Sequence, residues 1–156
     1  MRICSVDPGK TGGLCEITAG YPSKFHKMPS IKVKSKTLVD PVGLYNIVAG
    51  FDPDIIVVEQ VGASPRMGVS SAFNFGHAYG ITLGVAAGYE VRCHTITPQK
   101  WKGAMGLLGK DKDDSRLKLI EMYSEYADLF KHKNSVDRAE AALIGLAWLK
   151  LERLKK

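Results

Sequence analysis

Apolar and polar positions divide the chain into short segments punctuated by glycine and proline. Residues 1–6 are a mostly apolar run that stops at Asp7. After the turn residues Pro8, Gly9, Gly12 and Gly13, a second run from Leu14 to Ala19 predicts a hairpin. Gly20-Tyr21-Pro22 predicts another turn, and Lys24 to Met28 a third, amphipathic strand, followed by a basic loop with no clear period. Asp40-Pro41 pairs an N-cap residue with proline at the first helical position, opening a helix to about Ala49. Pro53 to Val58 is rich in β-branched residues without polar alternation, the pattern of a central strand buried on both faces.

Beyond a loop holding Gly62, Pro65 and Gly68, small residues from Ser70 to Ala87 predict a helix in which Gly76, Gly80 and Gly84 recur at every fourth position. Each glycine disfavours a helix by about 1 kcal/mol, so the spacing points either to close packing against another helix or subunit or to an interrupted helix. Glu90 to Thr95 reads as a strand. Thr97-Pro98 repeats the cap-plus-proline signal before a helix from Gln99 to Met105, and Gly106 to Asp111 form a loop. A helix starting at Asp113 or Asp114 and reaching Tyr126, and a last one capped by Asn134 or Ser135 and reaching about Lys155, complete the order. Three strands, helix, strand, helix, strand and then helices predict an α/β fold with a mixed sheet, in a single domain over 1–156.

Composition narrows the classes. With 45% hydrophobic and 24% charged residues the chain is ordinary for a globular protein, and no apolar run approaches the roughly 20 residues of a membrane span. Asp7 interrupts the N-terminal apolar stretch too early for a signal peptide, so a cytoplasmic location is expected. Cys4, Cys15 and Cys93 are too scattered for a disulfide framework or a Cys-x-x-Cys metal site. A net charge of +6 suits an anionic partner, and the basic residues cluster at 24–36, at Lys100 and Lys102, and from Lys110 to Lys118.

The stretch SVDPGKTGG, residues 5–13, resembles the end of a nucleotide-binding P-loop. That motif requires a glycine five positions before Gly9, where this chain has Cys4 inside a strand. The residues after Thr11 predict a turn and a strand, whereas a P-loop leads into a helix N-terminus. No nucleotide cofactor is expected.

Carboxylates carry the stronger signal. Asp7 closes the first strand and Glu59 closes the central one; if these strands are parallel neighbours, both acids emerge at the sheet edge where open α/β sheets bind ligands. On the last helix Asp137 and Glu140 are three apart and share a face that continues through Ala141, Ile144, Ala147, Trp148 and Leu151. Acids on a packing face are costly without a cation or hydrogen bonds. Singly, each is readable as a strand-end or first-turn residue. Together they form an all-oxygen anionic set suited to magnesium or manganese, and two such ions can cut a phosphodiester.

Four stretches in order, SVDPGKTGG, VVEQVG, TPQKWKGAMG and DRAEAALIG, resemble the RuvC-type Holliday junction resolvases of the RNase H-like superfamily, particularly their phage-type members. The resemblance implies an RNase H-like fold with a five-stranded mixed sheet, three antiparallel strands first and then parallel ones. It also implies a homodimer and divalent-metal cleavage of branched DNA, four-way junctions first, with two Mg2+ or Mn2+ ions per site. Asp7, Glu59, Asp137 and Glu140 match the family's four metal-binding acids. Lys102 matches a lysine near the cleaved strand, and Lys112, in preference to Lys110, matches a second.

Lys100 and Lys110 are further DNA-binding candidates. Bacterial members carry an aromatic just after the glutamate, where this chain has 61–67 without one, so either other groups such as Arg66 or Met67 open the junction or selectivity for four-way junctions is looser. Two other classes remain: a non-catalytic branched-DNA-binding module, and an actin-like ATPase, whose Asp-x-Gly-x-Thr turn also matches but whose two lobes need a far longer chain.

Overall fold

The computed structural model describes residues 1–60, 62, 63 and 67–155. Its main sheet has five strands in the order β3-β2-β1-β6-β7. Strands β1 (Arg2–Asp7), β2 (Gly13–Thr18) and β3 (Tyr21–Lys27) form an antiparallel meander. The parallel half adds β6 (Ile55–Glu59) beside β1 and β7 (Arg92–Ile96) beside β6. The apolar runs predict a mixed sheet, and its three antiparallel strands followed by parallel ones are the arrangement that the resemblance implies.

The basic stretch expected to be a loop is instead a separate two-stranded sheet, β4 (Ser30–Val33) with β5 (Lys36–Val39). All four residues of β4 are exposed, so no apolar face marks the strand with a period of two.

The helices are α1 (Pro41–Phe51), α2 (Val69–Gly88), α3 (Pro98–Met105), α4 (Lys112–Met122) and α5 (Val136–Arg153). Capping explains two starts: the Asp40 side chain accepts from the Val42 amide at 3.0 Å, and Thr97 Oγ1 accepts from the Lys100 amide at 3.3 Å. Helix α4 begins earlier than expected, after Asp111, whose amide donates to the Asp114 carboxylate at 2.9 Å. It also ends earlier, giving way to a 3₁₀ turn at Ser124–Tyr126. Ser135 precedes α5 as expected, but its hydroxyl donates to the His132 carbonyl at 2.6 Å rather than capping the helix. Helix α2 runs unbroken through its glycines.

Strand alternation gives the sheet two apolar faces. Ile3, Cys15, Ile17 and Val57 pack with Leu143, Ile144 and Ala147 of α5, and with Trp101 of α3 and Leu119 of α4. Cys4, Val6, Leu14, Ile56 and Val58 face Leu44 and Val48 of α1 and Ala78 and Ala86 of α2. Covered by the sheet on one side and by α3 and α4 on the other, α5 is buried at every residue from Ala139 to Leu149. Its approach to the sheet depends on Gly145, where a β-carbon would lie 2.5 Å from Ile17 Cδ1 and 2.7 Å from Ser5 Cβ. Among the described residues, no helix is long and apolar enough to cross a membrane.

Candidate active site

Strands β1 and β6 run parallel in the register Val6 beside Val58, so Asp7 and Glu59, each one residue further on, leave the sheet at the same edge. The β1–β2 turn is tight there: a β-carbon at Gly12 would overlap the Asp7 carbonyl, and one at Gly13 would lie 3.0 Å from Arg138 Cα at the start of α5. Gly12 keeps the turn tight, and Gly13 lets the first turn of α5 lie against it, close to the end of β1. Asp7, Asp137 and Glu140 consequently offer ligand oxygens that all lie within 4.8 Å of one another.

Glu59 belongs to the same edge but lies outside that compact group of three. Its Oε1 accepts a 2.7 Å hydrogen bond from Nε1 of Trp101, a side chain only 1% exposed. Its charge still reaches the others, raising the carboxyl groups of Asp7 and Glu140. Burial is the main reason that the Asp7 carboxyl is pushed from 3.8 to about 8, and Glu59, Glu140 and Asp137 add to the shift. Glu140 is raised too, chiefly by burial, against the charges of Lys112 and Lys102 and a 3.1 Å hydrogen bond from Ser115 Oγ.

A lysine partly neutralises this cluster. Lys112 at the start of α4 donates to Asp137 Oδ1 at 2.6 Å and lies 3.9 Å from Glu140 Oε2. Burial would lower its ammonium pKa, but the hydrogen bond to Asp137 and the charges of Asp137, Glu140 and Asp7 hold it above the ordinary lysine range. Three carboxylates crowded together, one of them buried and all close to a single ammonium, form a site short of positive charge. An all-carboxylate donor set of this size fits a hard divalent cation.

The other lysines divide. Lys102 stands beside the site, its Nζ 5.3 Å from the centroid of the Trp101 ring and its charge felt at Glu140. Lys100 points elsewhere, into a cleft with His94, Trp148 and Glu152 near the far end of α5. Lys110 lines a shallow groove with Asp114, Leu117 and Glu121 on α4. Arg66 lies outside the described residues, while Met67 is described and precedes α2.

Two residues that pattern reading passed over hold the acids in place. Trp101 stands next to Lys102 in PQKWK, and its role is invisible until β6 and α3 meet. Ser115, 2% exposed, is three residues after Lys112 on α4, and that spacing is the one clue that the two share a face. Arg116 braces the same helix, pairing with Asp113 at 2.8 Å and donating to the Phe130 carbonyl at 2.8 Å.

No protein-family model matches the sequence, and no curated protein matches it. Solved structures do. RuvC of Thermus thermophilus in complex with a Holliday junction substrate superposes with a TM-score of 0.67 at 16% identity, covering 99% of this chain and 96% of that one. The fowlpox virus Holliday junction resolvase gives 0.57 at 16% identity, with 97% and 99% covered. The yeast mitochondrial Holliday junction resolvase gives 0.53 at 14% identity, with 97% and 79% covered. At such identities the likeness is one of architecture, and the chain has the RNase H-like fold of the RuvC-type resolvases.

Proposed function

We propose that this chain is a single-domain, divalent-metal-dependent endonuclease that cuts branched DNA, four-way junctions first. The observation that carries the reading is the convergence of Asp7, Asp137 and Glu140 within 4.8 Å at the edge of a resolvase-like sheet, with Glu59 beside them. A solved neighbour of this fold is bound to a Holliday junction, and a net charge of +6 around an acidic pocket suits a polyanion.

The four acids would hold magnesium or manganese, two ions per site, which when bound supply an activated water and neutralise charge on the leaving oxygen. The protein's own groups do the rest. Trp101 and Ser115 fix the directions of Glu59 and Glu140, so the carboxylates need little reorganisation. Once its carboxylate partners are engaged elsewhere, Lys112 is free to hold a phosphate oxygen of the scissile strand, and Lys102 adds a second positive charge from α3. Positions 98–105 and 112–122, the helices that carry these lysines, flank the buried α5 and so frame the acids.

Symmetric cutting of a four-way junction requires two such sites, and α2 offers a surface for pairing. Its buried residues are only Ala78, Thr82 and Ala86, and β-carbons at Gly76, Gly80 and Gly84 would meet nothing within 4 Å. A second copy could approach closely there. Sedimentation at assay concentrations should show a dimer, and a monomer would remove this part of the proposal.

The test of the activity is a panel of synthetic four-way junctions, three-way junctions, flaps and linear duplex. Nicking should require Mg2+ or Mn2+, stop in EDTA, and disappear in Asp7→Asn and Glu140→Gln while junction binding survives. Intact junctions at saturating protein across salts and metals would overturn the proposal.

A further inference from the structure

We propose that Arg138 and Lys27 form a phosphate-binding site on the β3 side of the acid cluster, where they hold a DNA backbone phosphate next to the one that is cut. The identity of the anion rests on the nuclease reading. The two unpaired cations are features of the fold itself.

Arg138 follows Asp137 in the first turn of α5, and one residue turns a helix by about 100°. Asp137 therefore stands between Glu140 on one side and Arg138 on the other. Lys112 serves the Glu140 side and donates to Asp137 at 2.6 Å, so the acid next to Arg138 in sequence already has its cation. Among the described residues, Arg138 takes part in no ion pair. Its side chain is half-buried, with Nε enclosed and without a hydrogen-bond partner. The protein thus anchors the stem of this side chain without neutralising its charge, and the terminal nitrogens are left to an anion from outside.

Packing sets where the guanidinium lies. A β-carbon at Gly13 would stand 3.0 Å from Arg138 Cα and 3.2 Å from its Cγ, and Arg138 Cζ is 5.6 Å from the centroid of the buried Phe130 ring. Lys27 supplies the second charge. It is in register with Gly13 on β2, and strand alternation puts it on the same sheet face as Phe25, whose ring packs on Phe130 at 4.9 Å. Arg138 covers that face at Gly13. Lys27 is exposed and, among the described residues, forms no ion pair either. Two cations on one patch repel each other, and an anion bound by both removes the repulsion.

The place of the patch identifies the anion. A DNA strand whose cut phosphate lies at the acids carries its next phosphate past one flank of them, where the carboxylates repel it. The planar fork of a guanidinium suits a phosphate bidentately, and Lys27 adds a point charge. Lys112 and Arg138 then hold the strand from the two sides of Asp137.

The experiment uses the full chain in EDTA with four-way junctions that carry one neutral methylphosphonate, moved in turn across the phosphates around the branch point. In wild type, neutralising one phosphate should weaken binding about tenfold. The same modification should cost the double variant Arg138→Gln/Lys27→Ala less than about twofold, and each single variant an intermediate amount at that same position. The double variant should also lower the slope of log affinity against log salt by roughly 0.9, as for one lost phosphate contact. A purely structural role for Arg138 over Phe130 would instead weaken every modified junction alike. Lys27 is exposed, so Lys27→Ala tests the site independently of any effect of Arg138→Gln on packing.

A double variant that loses as much as wild type at every position, or single variants that point to different phosphates, would overturn the assignment. With magnesium, the phosphate singled out should lie next to the nick, and any farther position would overturn it too. A position-specific loss in a protein that leaves junctions intact with magnesium would sink the nuclease reading alone. Junction cutting by a double variant whose methylphosphonate profile matches wild type would sink this site alone.

Discussion

Replacing Trp101 by Phe tests whether Glu59 works because the protein aims it. The substitution keeps an aromatic ring in the pocket and removes one atom that matters, the indole Nε1 that donates to Glu59 Oε1 at 2.7 Å. A buried hydrogen bond to a charged acceptor is worth about 1.5–3 kcal/mol. If that free energy serves to hold Glu59 for the transition state, its loss lowers the cutting rate by about 10- to 100-fold. The smaller ring leaves a void that costs about 1–2 kcal/mol of stability, which lowers the melting temperature without unfolding the chain.

The assay is single-turnover nicking of a four-way junction at saturating protein, run as a double-mutant cycle with Glu59→Gln. Since Trp101 acts through the Glu59 carboxylate, Trp101→Phe should cost little further rate once Glu59 is already Gln. Wild-type rates in Trp101→Phe, or an equal loss in both backgrounds, would refute the positioning role. The first result would mean that Glu59 needs no help, and the second that Trp101 matters through packing alone.

Stability in EDTA should depend on pH through Asp7. The carboxyl is raised from 3.8 to about 8, so the folded chain binds more protons than the unfolded one across that window, and stability falls as pH rises from about 4 to 8. The slope from this group is at most about 1.4 kcal/mol per pH unit, and Asp7→Asn should flatten it and raise the melting temperature at pH 8. A melting curve of Asp7→Asn that tracks wild type across the window would show that the strain on Asp7 is absent. Gly145→Ala should destabilise the fold by about 1–3 kcal/mol, because its β-carbon would lie 2.5 Å from Ile17 Cδ1; chemical denaturation with no shift in midpoint would contradict the tight α5–sheet contact.

Local patterns carried most of the fold. Continuous β-branched residues at 55–58 announce a strand covered on both sides, and Asp40-Pro41 and Thr97-Pro98 announce helix starts, because each signal acts through neighbouring atoms. The β4–β5 hairpin gave no such signal, since its exposed residues are under no demand to alternate. The end of α4 at Met122 rather than Tyr126 likewise reflects local chain geometry that the apolar period does not mark. In the candidate site, the four acids stood out as charges at strand ends and on an otherwise apolar helix face. Lys100 and Lys110 stood out equally as charges, and the fold turns both into other grooves.

The sequence by itself determined which acids were available and that Asp7 and Glu59 each end a strand; that the two strands are parallel neighbours came from the sheet. Tertiary structure alone decided the division of labour among them. Asp7, Asp137 and Glu140 close into one group because Gly13 and Gly145 let α5 descend onto the sheet. Glu59 is held apart by a tryptophan 42 residues away, and Glu140 is steadied by a serine 25 residues away. Contacts of that separation leave no period in the chain, because nothing in a local stretch records which distant atom will complete its hydrogen bond.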